Sequence, residues 1–335
     1  MWRAPRPSKL NEGQHERPLP RGPGPASAAA MDRPQQPHPH GGLIMALGAY
    51  LVWGIMPLYL MLVHWVPPYE FIGWRIICTL PVCLLFVALR REGAAVLRAL
   101  SQPRIVAVLA LSAFLVAINW TIYIAAIQAG HVLASSLGYY INPLVNVFFG
   151  TLFLGERLSK WQWLAVALAA LGVSLLAWDA REMLWISLSL AVSFSAYGLV
   201  RKLAPVESLP GLTIETLLLL VPATLTVAWY AQTSAGSSMG HGPANSVLIA
   251  FSGLMTGIPL LLFGAAARRM DYSSLGMTQF LSPTIVFVLG VTVFNEPLKP
   301  SQLACFGFIW AAIAVFVWDI LSRRHTSTYL GTVPN

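Results

Sequence analysis

From about residue 41 the chain is written in apolar runs of roughly twenty residues, parted by short polar clusters. A helix rising ~1.5 Å per residue needs about that length to cross a hydrocarbon core ~30 Å thick. No water is present there to satisfy peptide groups, so such runs fold as helices that close their own hydrogen bonds. Ten runs are legible, at about 43–63, 70–89, 104–126, 132–154, 160–178, 183–200, 211–230, 246–267, 274–294 and 301–321. Composition agrees: 56% of residues are hydrophobic and 10% are charged. A soluble domain carries about 25% charged residues. The expected fold class is an all-α polytopic membrane protein.

The formal net charge of +8 does not read as a nucleic-acid surface. Such a surface clusters its bases among polar and aromatic neighbours. Here the bases stand singly or in pairs at the ends of apolar runs. Of 21 Lys and Arg, eighteen fall in the tails or even-numbered connections, and only Arg181 and Lys299 fall in odd-numbered ones. Arg75 is the one base read within a span. By the positive-inside rule both termini face the cytoplasm and the span number is even. Trp65, Trp178, Trp185 and Trp229 then fall at outer helix ends, and Trp161, Trp163 and Trp318 at inner ends, where aromatic anchors belong. Residues 1–40, rich in Pro, Gly, Arg and His, read as a disordered cytoplasmic tail. Met31, opening MDRPQQPHPHGG, offers an alternative start. Residues 322–335 read as a second cytoplasmic tail.

Two stretches repeat one pattern: SLGYYINPLVNVFFGTLFLGERL from Ser136 and SLGMTQFLSPTIVFVLGVTVFNEPL from Ser274. From the prolines onward the offset is 140, Pro143 to Pro283. Gly150, Glu156, Leu158, Gln162, Trp178 and Asp179 then match Gly290, Glu296, Leu298, Gln302, Trp318 and Asp319. The order of these matches predicts a duplication, with one repeat over 41–179 and a second over 182–321. Five spans per half is odd, so the second copy must enter the membrane upside down. Inverted repeats of this kind are characteristic of secondary transporters, with the substrate near the midplane.

The endings GER…WQWLAVALAALGV and NEP…SQLACFGFIWAAIAV resemble the EamA repeat of the drug/metabolite transporter superfamily. LGAYLVWGIMPLY, INW, SLGYYINPLVN, FLGER, AYGLVRK, IET and FIWAAIAVFVWD resemble its RarD-type members, named for chloramphenicol sensitivity. The resemblance covers about residues 43–322. It implies ten spans in two five-helix repeats in a bacterial inner membrane, and no particular substrate. Where some relatives carry an acid just before Ser-Leu-Gly, this chain has Ala134 and Ser135, so no role for that acid transfers.

Proline within a helix removes a donor and clashes with the carbonyl four residues back, at about 3 kcal/mol. Pro57, Pro143 and Pro283 therefore predict kinks. In lipid, the carbonyls so freed must be satisfied by partners or line a cavity. Tyr139, Tyr140, Asn142 and Asn146 crowd one kink and Thr278, Gln279 and Ser282 the other. Asn119 and Trp120 lie deep in the third span. The bland alternative for each amide is helix–helix glue. Arg75 and Glu215, again 140 apart, are the ionisable residues most clearly within spans, and intramembrane charges are functional candidates by default. The candidate substrate site is thus Arg75, Asn119, Trp120, Tyr139, Tyr140, Asn142, Asn146 and Gln279. Arg75 would attract an anionic group, and desolvated Glu215 would carry a coupled proton. Glu156 and Glu296 read as turn caps or partners of nearby bases.

No cofactor or metal site is legible. The seven histidines show no ligand spacing, and Cys78, Cys83 and Cys305 read as buried apolar residues. No Walker motif appears. The expected function is a secondary transporter, an exporter of a small metabolite, amino acid or drug-like solute driven by the proton gradient. A membrane-embedded enzyme or a structural membrane subunit is the alternative. The expected partners are the solute, membrane lipid and, where it assembles, a second copy of the chain.

Overall fold

Each apolar run becomes a helix in the computed structural model. It describes residues 39–330 apart from 180, 235 and 296, and without the side chains of 39, 40, 179 and 323–330. The N-terminal tail and Glu296 lie outside the described residues.

In chain order the helices are α1 (Pro39–Leu62), α2 (Pro68–Arg90), α3 (Gly93–Leu100), α4 (Pro103–Gln128), α5 (Val132–Phe153), α6 (Lys160–Asp179), α7 (Leu184–Leu203), α8 (Ser208–Ala231), α9 (Pro243–Arg269), α10 (Tyr272–Gln279), α11 (Leu281–Thr292) and α12 (Pro300–Leu330). No strand occurs among the described residues. Ten segments are long and apolar enough to cross a membrane, α10 and α11 together forming the ninth. The chain is therefore an all-α, multi-pass membrane protein. Three boundaries differ from the sequence reading. α3 is an amphipathic turn of helix in the second connection, seating Val96 and Ala99 against Leu209 and Ile214. α7 runs on through Arg201 and Lys202. α12 continues past Leu321 into the expected tail.

The proline signals act unequally. Pro57 and Pro143 sit within unbroken helices. Pro283 ends one: α10 stops at Gln279, and the next helix starts at Leu281. The ninth span is thus two half-helices meeting at Phe280.

Starts of corresponding helices keep the 140-residue offset seen in the sequence: Pro68 and Ser208, Pro103 and Pro243, Val132 and Tyr272, Lys160 and Pro300. The details agree. Gly155 and Asn295 both take left-handed backbone, at φ 65° and 53°. Ser159 N–H donates to Gln162 Oε1 at 2.9 Å, and Lys299 N–H to Gln302 Oε1 at 3.2 Å, each opening the following helix.

Corresponding helices also pack against each other in opposite directions. Trp161, at the start of α6, meets Trp318 near the end of the last span, while Gly172 faces the Cys305 backbone. Gly73 of α2 faces Ala223 and Val227 of α8, while Cys83 lies by Thr213 and Thr216. Asn146 bonds Gln279, and Glu156, beyond the end of α5, bonds the start of α10. Neighbours exchange in the same sense: α1 packs on α9 as α4 packs on α7, and α5 on α7 as α1 on α10 and α11.

Large apolar side chains such as Leu85, Phe114, Phe148, Leu225 and Trp229 ring the outside. The interior instead collects small and hydroxyl residues, Ser112, Ser135, Ser187, Ser195, Thr213 and Thr256 among them. That is how membrane helices approach closely when lipid removes any hydrophobic drive between them.

Candidate functional site

Arg75 and Glu215 are each the eighth residue of their helix, so each lies about 10 Å from that helix's start. Because α2 and α8 run antiparallel, the two charges enter the bundle from opposite ends. They do not pair with each other.

Arg75 lies among four helices. Its Nε donates to Thr256 Oγ1 of α9 at 3.0 Å. Its guanidinium carbon lies 4.9 Å from the ring centre of Trp120 on α4 and 5.9 Å from that of Phe71. Tyr59, Tyr123 and Tyr139 also face it, with Tyr123 packed on Tyr139 at 5.6 Å. Among the described residues no carboxylate comes within ion-pair distance.

Glu215 is 2% exposed and has a partner that the sequence did not suggest: Arg201 Nη1 lies 3.3 Å from its Oε1, and Arg201 is 1% exposed. Arg201 read as an ordinary loop charge because it stands beside Lys202 at the end of an apolar run. The fold instead buries it between α7 and α8. Its Nη2 donates to the Ser208 carbonyl at 3.0 Å. The guanidinium occupies the space where a Gly211 side chain would begin, so a larger residue there would push Arg201 aside. The hydroxyls of Ser112 and Tyr197 lie against the carboxylate without closing hydrogen bonds of ordinary geometry, so among the described residues Glu215 Oε2 has no donor.

A cavity of about 20 Å³ joins the two regions, bounded by Trp120 and Thr256 near Arg75 and by Tyr197 and Glu215 at the other end. One water needs about 10–15 Å³ measured this way. The space between the two regions therefore has room for about one water.

The predicted amides go elsewhere. Asn119 Nδ2 donates to the Leu190 carbonyl at 2.8 Å and Ser193 Oγ at 2.9 Å, tying α4 to α7. Asn142 Oδ1 accepts from Ser195 at 3.0 Å, tying α5 to α7. Asn146 Nδ2 donates to Gln279 Oε1 at 2.8 Å, tying α5 to α10. Tyr140 packs edge-on against Phe306 of the last span. Of the predicted set, the fold brings Arg75, Trp120 and Tyr139 together and spends the four amides on helix contacts. The sequence reading missed Tyr59, Phe71, Tyr123 and Thr256 around Arg75, and Arg201 beside Glu215.

Two further acids are held in place. Glu156 accepts from the Tyr272 and Ser273 amides at 2.6 and 2.8 Å, capping the exposed donors at the start of α10. Glu70, fully buried at the start of α2, accepts from Trp74, Ser237 and Ser238, pinning the α8–α9 connection. Bases do the converse at helix ends. Lys202 donates to the Ala267 and Met270 carbonyls, and Arg268 to those of Ala204 and Val206.

Helices of this number, with charges held inside rather than at the lipid face, define a multi-pass membrane protein whose interior charges are functional candidates. Comparison with known proteins agrees. The EamA-like transporter family matches residues 40–178. Protein RarD of Escherichia coli is 41% identical over 288 residues, 85% of this chain and 97% of that protein. An uncharacterized transporter of Pseudomonas aeruginosa is 42% identical over 280 residues, 83% of this chain and 93% of its own. Protein RarD of Streptomyces exfoliatus is 40% identical over 287 residues, 85% and 91% of the two chains. A solved crystal structure superposes with a TM-score of 0.63 at 21% identity, covering 82% of this chain and 96% of the other, a likeness of fold. The chain belongs to the RarD-type branch of the EamA-like transporter family, and by that membership is a membrane transporter.

Proposed function

We propose that the protein exports a small metabolite or drug-like solute across a bacterial inner membrane by alternating access, driven by the proton gradient. The halves 41–179 and 182–321 act as inverted repeats, with both termini in the cytoplasm. The observation that carries this reading is the antiparallel packing of corresponding helices about Arg75 and Glu215. Two halves with one fold and opposite orientation can exchange conformations, opening one face and then the other.

Arg75 is the solute contact and Glu215 the proton carrier. While Glu215 is ionised it neutralises Arg201 and ties α7 to α8. Protonation removes that neutralisation, and a buried cation without a partner is unfavourable by several kcal/mol. Arg201 would then turn toward water at the inner end of α7, loosening that end. Asn119, Asn142, Asn146 and Gln279 act here by fixing helix positions. The broken ninth span, capped by Glu156, supplies a half-helix that can tilt.

The test is proton movement in proteoliposomes loaded with a pH-sensitive dye and offered a panel of solutes. The reading expects solute-dependent proton flux in the native protein. It expects none in Glu215→Gln, which should insert normally. Proton flux unchanged by Glu215→Gln would remove the proposed role of that residue, and solute-driven flux absent across the panel would contradict coupled transport.

A further inference from the structure

We infer that the solute is a monocarboxylate with an apolar, ring-sized body and no ammonium group. The inference rests on the transporter reading and narrows its substrate class.

Three of the ionisable groups inside the bundle are Arg75, Arg201 and Glu215, and the last two neutralise each other at 3.3 Å. Glu70, the acid of the same helix, is already satisfied by four donors. That leaves Arg75 as a cation with no carboxylate in range among the described residues. Its Nε is committed to Thr256. Among the described residues its two terminal nitrogens donate to no protein group, and the residue keeps partial exposure. A guanidinium offers those nitrogens as a planar fork that matches the two oxygens of a carboxylate.

The surroundings set the rest. Trp120, Phe71, Tyr123 and Tyr139 wall the group with rings. A ring-bearing or similarly apolar body buries against such walls. A carboxylate bound there brings the local charge to zero. A zwitterion does not, because its ammonium would enter a site with one cation already present and no acid to receive it. Like charges in a low-dielectric setting repel strongly. The site therefore discriminates against amino acids in favour of the same molecule without its amine.

Equilibrium binding tests this independently of flux. The full-length protein, purified in detergent, is melted with four probes: 3-phenylpropionate, L-phenylalanine, 2-phenylethylamine and inorganic phosphate. Ligands that bind the folded state raise its melting temperature. The expected result is stabilisation by 3-phenylpropionate at a concentration at least about tenfold below that for L-phenylalanine, a difference of ~1.4 kcal/mol. The amine and phosphate should do nothing. Arg75→Gln should abolish the response, while Arg75→Lys, which keeps the charge and loses the fork, should retain a weakened one. Equal or tighter binding of L-phenylalanine, a response to phosphate, a response that survives Arg75→Gln, or no response to 3-phenylpropionate at millimolar concentration overturns the inference. Solute-driven proton flux alongside any of these results would leave the transporter reading standing and discard only the substrate class.

Discussion

Removing Arg201 alone would leave Glu215 buried and unpaired, and removing Glu215 alone would strand Arg201. Either single loss from a buried ion pair costs about 3–5 kcal/mol, whereas replacing both partners by apolar residues of similar volume is often neutral or better. Arg201→Met and Glu215→Leu should each lower the melting temperature sharply, and the double variant should recover most of the loss. A double variant as unstable as the sum of the singles would mean that the two side chains do not act as a pair. This pair also marks the limit of reading single residues from sequence. Glu215 stood out because it interrupts an apolar run. Arg201 did not, because an Arg-Lys pair at a run's end is what any cytoplasmic helix terminus looks like. Only the turn from α7 into α8 brings the two together. The amides were legible as polar groups in lipid, but Asn146 and Gln279 lie 133 residues apart, and no local pattern announces that they bond.

Among the elements, the ninth span is the one that the fold divides in two. Its proline predicted a kink, and the span is divided into two helices at Phe280. Pro143 predicted a kink in α5, where the helix runs on without interruption. The difference lies in what surrounds each: Gly276 of α10 backs onto the Pro143 carbonyl, and Asn142 and Asn146 anchor α5 on two sides. If the half-helix α10 tilts during transport, continuity should impede it. Pro283→Ala restores a donor and removes a clash worth about 3 kcal/mol in an ordinary helix. The variant should be at least as stable as the native protein and slower in flux. Native flux at raised stability would deny the break a part in transport. Glu156→Gln weakens the charge at the start of α10, where a carboxylate contributes about 0.3–1 kcal/mol. Its melting temperature should fall slightly, and by less than in either single variant of the buried pair.

For the whole molecule, apolar run length fixed the number of crossings and the 140-residue offset foretold matching helix starts. The offset could be read because helices that must span one thickness tolerate few insertions. What it could not convey was which faces meet, since lipid-facing and buried sides of these helices are both apolar. The most direct measurement concerns the sense in which the halves cross the membrane. Arg98 and His241 lie in corresponding connections, as do His131 and Asp271, 140 residues apart. Single cysteines at these four sites, with the native cysteines replaced, can be labelled in intact cells by a membrane-impermeant maleimide. The account predicts labelling at His131→Cys and His241→Cys, and labelling at Arg98→Cys and Asp271→Cys only after permeabilisation. Corresponding sites that react from the same side would contradict it.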